Sequence, residues 1–389
     1  MPSESRRQTV EAFAPALASV AAYVIFLALV LAPYGFNVSA LIGLGATNPL
    51  NDAASLPDGL IVFQGIGYDG QHFYHVARSL VRGERPSVPA VRVQRIGYPL
   101  AAALLSLGQE AAIPYALVAV NLLAVATGTA VFVRLLHRHG LNPWWSLLFA
   151  LNSGQILAVQ MDLALPMVLA FAAGAWLCWE KRHVRAAGAL LAAALLTRES
   201  AVLFLLPLVA AELLAKRWRA AVVLGLSVVP FFVWQGALKV WLGAGGLAVS
   251  ARHIVAPGAG MATALGSAVA SIGQGLGTMV RQGSIVAVMA LTLAALAVSL
   301  WRMRTGYDAY TGGVFVHAAF ALFASYDIWA AYASAGRVFA GMFPLLVLSY
   351  GIRRERWTWA LLMASAALGL FTLLRPFVIS PHVPFVVTG

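Results

Sequence analysis

The chain has 389 residues, 61% of them hydrophobic and only 10% charged, against about 25% charged in an ordinary soluble domain. So few polar residues cannot cover a globule, which excludes a cytosolic enzyme, a disulfide scaffold and a disordered chain and leaves lipid as the solvent. The net charge of +12 could mark a nucleic-acid binder, but the arginines sit between apolar runs, where the positive-inside rule accounts for them and no nucleic-acid partner is expected.

A membrane-crossing helix needs about 20 apolar residues at 1.5 Å each. Eleven stretches are candidates: 13–32, 112–135, 143–159, 162–179, 184–197, 200–215, 219–240, 284–301, 311–328, 334–351 and 357–374. The expected fold class is all-α, a polytopic membrane protein with a single transmembrane domain over 1–389. The first stretch reads as a permanent span, because no small-residue cleavage site follows Ala32. The lone cysteine, Cys178, reads as an apolar filler and rules out an internal disulfide or a Cys-based zinc cage.

The first long connection, 33–111, is expected to be ordered and functional, since it carries aromatic and apolar residues throughout. Phe73, Val76, Ala77 and Leu80 form an apolar stripe with helical spacing, opposite Gln71, His75, Arg78 and Arg82. This predicts a short amphipathic helix at the membrane interface. A second interfacial helix is expected over 98–107, with Pro99 in its first turn. Arg92 and Arg95 lie between the two, so the pair could enclose a headgroup-level groove suited to a lipid phosphate.

Asp69 has two readings: N-cap of the first helix, or general base at the mouth of that groove. Asp69, His72 and His75 resemble a metal pattern only superficially. Three-residue steps turn through about 300° each, so the first and third members diverge by about 120°. Interfacial packing, or contact with sugar or phosphate, suits the histidines better.

Further along, short basic connections alternate with the others: Arg134 and Arg138; Lys181, Arg182 and Arg185; Lys216, Arg217 and Arg219; Arg302 and Arg304; Arg353, Arg354 and Arg356. With Arg6 and Arg7 they define the cytoplasmic side, so the N-terminus is inside and the tail from Arg375 outside. Asp162, Asp327, Arg337 and the Arg198–Glu199 pair lie at outer span ends. Arg198 and Glu199 read as a solvated turn or as a headgroup contact, and Arg337 as a snorkelling anchor or the same. The second long connection is 241–283, and its Gly- and Ala-rich stretch 243–277 is expected to be a flexible loop. No nucleophile elbow, P-loop, zincin or paired-carboxylate motif occurs.

One resemblance is specific. The run Tyr68-Asp69-Gly70-Gln71-His72-Phe73-Tyr74, followed by Arg95-Ile96-Gly97-Tyr98-Pro99-Leu100, resembles the GT-C superfamily of integral-membrane glycosyltransferases. It is most like bacterial cell-surface glycopolymer-formation proteins with a GYDGQ-type first outer loop. More distantly it is similar to the mannosyltransferases of GPI-anchor synthesis. Thr197-Arg198-Glu199 and Gly336-Arg337-Val338 also look like the bacterial group.

The resemblance implies that Asp69 is the acceptor-activating base. It also implies a polyprenyl-phosphate sugar donor, a glycan or lipid-linked acceptor, and chemistry on the non-cytoplasmic face of a bacterial plasma membrane. Some members carry a second acid where Gly70 stands. No metal or other cofactor is expected, although that departure leaves a divalent metal open.

The residue chemistry agrees with one carboxylate as base and arginine forks on the leaving phosphate. Direct displacement by this route inverts the anomeric centre. The candidate site set is Asp69 as base, with Tyr68, Gln71, His72, His75, Arg95, Arg198, Glu199 and Arg337 as substrate contacts. The competing readings are a transporter or flippase for a lipid-linked sugar, a non-catalytic assembly subunit, and a polymerase or ligase using Arg252 and His253.

Overall fold

The computed structural model describes residues 4–51, 55–378 and 384–388; of residues 4–12, 248, 250 and 378 only the backbone is described. The side chains of Arg6 and Arg7, and tail residues 379–383 and 389, lie outside the described residues.

The chain is helical almost throughout. The first helix, α1 (Glu4–Leu31), delivers it to the long connection 33–111. There β1 (Leu44–Gly45) pairs in parallel with β2 (Ile61–Phe63). Next come α2 (Gly70–Arg82), the one-turn α3 (Ala90–Val93) and α4 (Gly97–Leu105). Helix α2 forms where expected and buries Phe73, Val76 and Ala77, but Gln71, His75 and Arg78 on the other face are buried as well, so it packs inside the connection on both faces and ends at Gly83. Helix α4 does not match an amphipathic expectation. It is apolar on every side, with Leu100, Leu104 and Leu105 exposed and Tyr98, Pro99 and Ala102 buried against α2 and the next helix.

Helix α5 (Ile113–Arg138), 26 residues long, then packs on α1 and on a later helix, Leu165–Glu180. The following apolar stretch is broken into α6 (Ser146–Ala150) and α7 (Ser153–Gln160), because Asn152 leaves the helix and its side chain caps the Gln155 N–H. After it come α8 (Leu165–Glu180), α9 (Val184–Thr197), α10 (Val202–Leu214), α11 (Trp218–Gly225) and α12 (Val229–Leu242).

The second connection is not a loop. It holds α13 (Leu247–Ser250) and α14 (Ala259–Ala270), since its alanines are the strongest helix formers and outweigh the glycines between them. The chain closes with α15 (Leu276–Met303), α16 (Ala309–Leu322), α17 (Tyr326–Trp329), α18 (Tyr332–Val338), α19 (Met342–Ile352) and α20 (Arg356–Val378). A last strand, β3 (Phe385–Val387), pairs antiparallel with β2 and ties the tail to the first connection.

Five helical stretches are long and apolar enough to cross a membrane, and six if the bent pair α18–α19 counts as one. They fall within or overlap the expected spans at 13–32, 112–135, 219–240, 284–301, 357–374 and 334–351. The other five expected spans are shorter or broken helices. Breaks fall at Asn152, at Asp162 with its left-handed φ of +46°, and at Arg198, whose extended backbone separates α9 from α10. Eleven full-length spans are therefore more than these helices support. Asp162, expected at an outer span end, is fully buried.

Two glycines fix where the first connection sits. A Cβ at Gly70 would lie 2.5 Å from the Met161 carbonyl oxygen and 2.6 Å from that of Ile42, so no side chain fits beside Asp69. A Cβ at Gly97 would lie 2.4 Å from Thr197 Oγ1, which brings the start of α4 against the end of α9. Gly70→Ala is expected to displace the Asp69 turn and cost about 1–3 kcal/mol, as overpacking does; thermal unfolding in detergent reads it.

Candidate active site

Asp69 closes the turn before α2, but it does not cap it. Its backbone is already helical and its side chain makes no cap bond. The carboxylate instead faces Arg92 at 2.9 Å and Arg337 at 3.6 Å. Arg337 comes from α18, where its Nε–H also donates to the Ala333 carbonyl at 2.6 Å. Burial raises the Asp69 carboxyl, but Arg92, Arg337 and Arg95 together outweigh it and hold it below the usual carboxylate range.

Arg95 and Glu199 are locked together. Arg95 donates through Nε at 2.9 Å and through a terminal nitrogen at 2.5 Å, a two-pronged pair reached because Gly97 lets α4 abut Thr197. Burial raises the Glu199 carboxyl, yet the charge and hydrogen bonds of Arg95 win and bring it to about 2. Arg198, next in the same turn, has no carboxylate partner within reach among the described residues, and its Nε is buried without a hydrogen bond. Burial and the neighbouring Arg95 lower it to about 10, so it stays a cation at neutral pH.

These groups line one cavity of about 300 Å³, with Asp69, Arg92, Arg95, Arg198 and Arg337 on its wall and the loosely paired His253 and Asp327 at its mouth. Asp327 is 77% exposed and solvated, so it offsets little of the interior charge. Four guanidiniums against Asp69 and Glu199 leave two positive charges in surplus in a partly buried space, an arrangement that an anion would relieve.

A groove of about 480 Å³ adjoins it and shares Arg92, Arg95, Arg198 and His253. Glu199 and Ser200 also line it beside the arginines, and the remainder is apolar, built by Leu195, Val202, Leu203, Phe231, Phe232 and Phe320 among others. A charged pocket opening into an apolar groove is complementary to an amphiphile with an anionic head. Among the described residues no three His, Cys, Asp or Glu side chains could hold a metal, and the guanidiniums around Asp69 repel a cation. The donor set therefore does not fit a divalent metal.

The other expected contacts lie elsewhere. Tyr68 donates to the Ala40 and Leu41 carbonyls and lines a separate cavity of about 700 Å³ behind the Asp69 turn, with Tyr34, Phe63, Met161 and Arg375. Gln71 and His75 brace the connection from within. His75 Nε2–H donates to Asn51 Oδ1 at 2.7 Å, Asn51 Nδ2 donates to Gln71 Oε1 at 2.7 Å, and Gln71 Nε2 donates to the Ile66 carbonyl at 3.0 Å. His72 feels the charges of Asp69 and Arg92 but does not line the cavity, and its Nδ1 is buried with no hydrogen-bond partner. Arg78 and Arg82 staple α2 to Glu110 at the approach to α5.

Arg92, which makes the shortest contact to Asp69, was not among the expected site residues. Its sequence signals are its place between the two short helices and a basic charge on the side where the orientation rule is expected to disfavour one.

Burial lowers His75 to about 4, and Arg78 adds to that. In the unfolded chain a histidine takes its proton near 6.5. Between those values the unfolded state binds more protons, so stability rises with pH. Acidification from pH 7 towards 4 is expected to remove up to about 3 kcal/mol through His75. His75→Gln keeps a donor to Asn51 and should remove its share of that slope in unfolding midpoints measured across the range, leaving the share of His72, which burial also lowers to about 4.

Compared with family models, curated proteins and solved structures, the chain finds no match.

Proposed function

We propose that this protein is a GT-C-type glycosyltransferase that moves a sugar from a polyprenyl-phosphate donor to a glycan or lipid-linked acceptor. The reaction takes place on the non-cytoplasmic face of the bacterial plasma membrane, and the N-terminus is cytoplasmic. The observation that carries this is the surplus of guanidinium charge around one carboxylate, opening into an apolar groove. The donor phosphate lies among Arg198, Arg92 and Arg337, and the isoprenoid chain lies in the groove.

The acceptor hydroxyl gives its proton to Asp69 as its oxygen attacks the anomeric carbon. The bond from that carbon to the phosphate oxygen breaks with inversion, and polyprenyl phosphate leaves with its charge held by the arginines. Before the donor arrives, Arg92 and Arg337 pair with Asp69. The phosphate draws them away and leaves the carboxylate more basic at the moment it is needed. Arg95 is already tied to Glu199 and positions the cluster rather than the phosphate.

The test uses the full chain in lipid nanodiscs with a panel of polyprenyl-phosphate sugars and a lipid extract as acceptor. A new glycosidic bond, with the opposite anomeric configuration to the donor, is the expected result. Donor translocation in proteoliposomes with no new bond would support the transporter reading instead.

A further inference from the structure

At the end of the molecule opposite Asp69, a bowl of about 560 Å³ opens between the ends of α5, α8 and α10 and the start of α16. Glu180 and Asp308 line it and Glu212 does not, though Glu212 holds two of its arginines; all three carboxylates are occupied or buried. Glu212, with no exposed side-chain surface, accepts the Trp179 indole N–H at 2.7 Å, Arg217 at 2.7 Å and Arg182 at 3.1 Å. Glu180 accepts His139 at 2.7 Å, Arg138 at 2.5 Å and the Tyr310 hydroxyl. Asp308 gives one oxygen to the Thr311 N–H at 2.8 Å, and its other is closed to solvent.

The arginines differ from the acids. Arg138, Arg182 and Arg217 have side chains 43%, 58% and 42% exposed, and each keeps N–H groups that the carboxylates do not take. The buried acids fix these side chains in place, so part of the entropy of ordering them is already lost before a ligand arrives. Lys181, Arg185, Lys216 and Arg219 flank the same segments. On the rim Leu214 is 66% exposed, and the neighbouring Trp218 63%, a collar suited to acyl chains rather than water.

We propose that this bowl binds the headgroup phosphate of an anionic phospholipid in the adjoining leaflet. Guanidinium forks match phosphate oxygens, and basic pockets between membrane helices take such headgroups. The apolar collar favours a lipid over a soluble phosphate. The proposal is independent of the reaction at Asp69.

Native mass spectrometry of the detergent-purified full chain, titrated with phosphatidylglycerol or phosphatidylcholine, tests it. Roughly tenfold preference for phosphatidylglycerol is expected, and Arg138→Gln/Arg182→Gln should abolish that preference. In that variant Glu180 keeps His139 and Tyr310, and Glu212 keeps Arg217 and Trp179, so the fold is retained. If the pair fails to fold, Arg182→Gln alone should lose about threefold. Arg354→Gln/Arg356→Gln removes equal charge from the same end outside the bowl and should change binding less than about twofold. Equal retention of phosphatidylcholine, an equal loss in this control pair, or displacement by free glycerol 3-phosphate would each overturn the proposal.

Discussion

Asp69→Asn is expected to lower transfer about 10²–10⁴-fold, the usual worth of a general base, while the protein stays folded and still binds donor. Asparagine keeps the shape and an oxygen for Arg92, now 2.9 Å away. It removes one of the two interior negative charges, so the surplus of guanidinium charge grows. Donor affinity should therefore hold or tighten while kcat collapses. A structural ion pair alone would give the opposite pattern, with stability lost and kcat per folded molecule unchanged.

The pH profile separates the same alternatives. The arginines keep the Asp69 carboxyl below its ordinary range. The base is then ionised throughout neutral and mildly acidic pH, and kcat/KM should show no acid limb between pH 7 and 5. A limb near 6.5 would point to a histidine instead. His72 is a poor source of one, since burial and Arg92 lower it to about 4.

Arg198→Gln should give the second large effect, a loss of about 10²–10³-fold in kcat, as when one preorganised donor to a developing anion is removed. Its signature lies in the contrast with stability. Arg198 is the cation that the neighbouring acids leave uncompensated, with Nε buried and unbonded. Replacing it should leave the unfolding midpoint unchanged or raised, because an unpaired charge in a partly buried site opposes folding. Arg95→Gln lacks this contrast. It strands Glu199, whose two contacts to Arg95 are 2.9 and 2.5 Å, and lowers stability together with activity.

Part of the cluster was legible in the chain, because arginines on the side expected to face outward have no orientation role, whereas Tyr68, Gln71, His72 and His75 do not line its cavity. Arg95, Arg198 and Arg337 stood out for that reason and do converge near Asp69. Pairing within the cluster was not legible. Arg95 meets Glu199 across a separation of 104 residues, through a glycine contact that no local pattern encodes. Gln71 and His75 share a helix face with the expected groove, yet their polar atoms turn inward to Asn51, a residue with no motif of its own.

The membrane class followed from composition, but the number of spans did not. Hydropathy sums apolar content over a window and is blind to a backbone that leaves the helix at Asn152 or turns left-handed at Asp162. The small sheet was equally hidden, because its strands are two or three residues long and β3 comes from the far end of the chain.

The central claim is that the arginine cluster beside Asp69 holds a lipid phosphate whose tail fills the adjoining groove. A cryo-electron microscopy map of the full chain with added polyprenyl phosphate tests it most directly. The expected result is phosphate density within hydrogen-bond reach of Arg198 and Arg337, with the chain running past Phe231 and Phe232. Phosphate density confined to the opposite basic bowl, with the Asp69 cavity empty at saturating lipid, would contradict it.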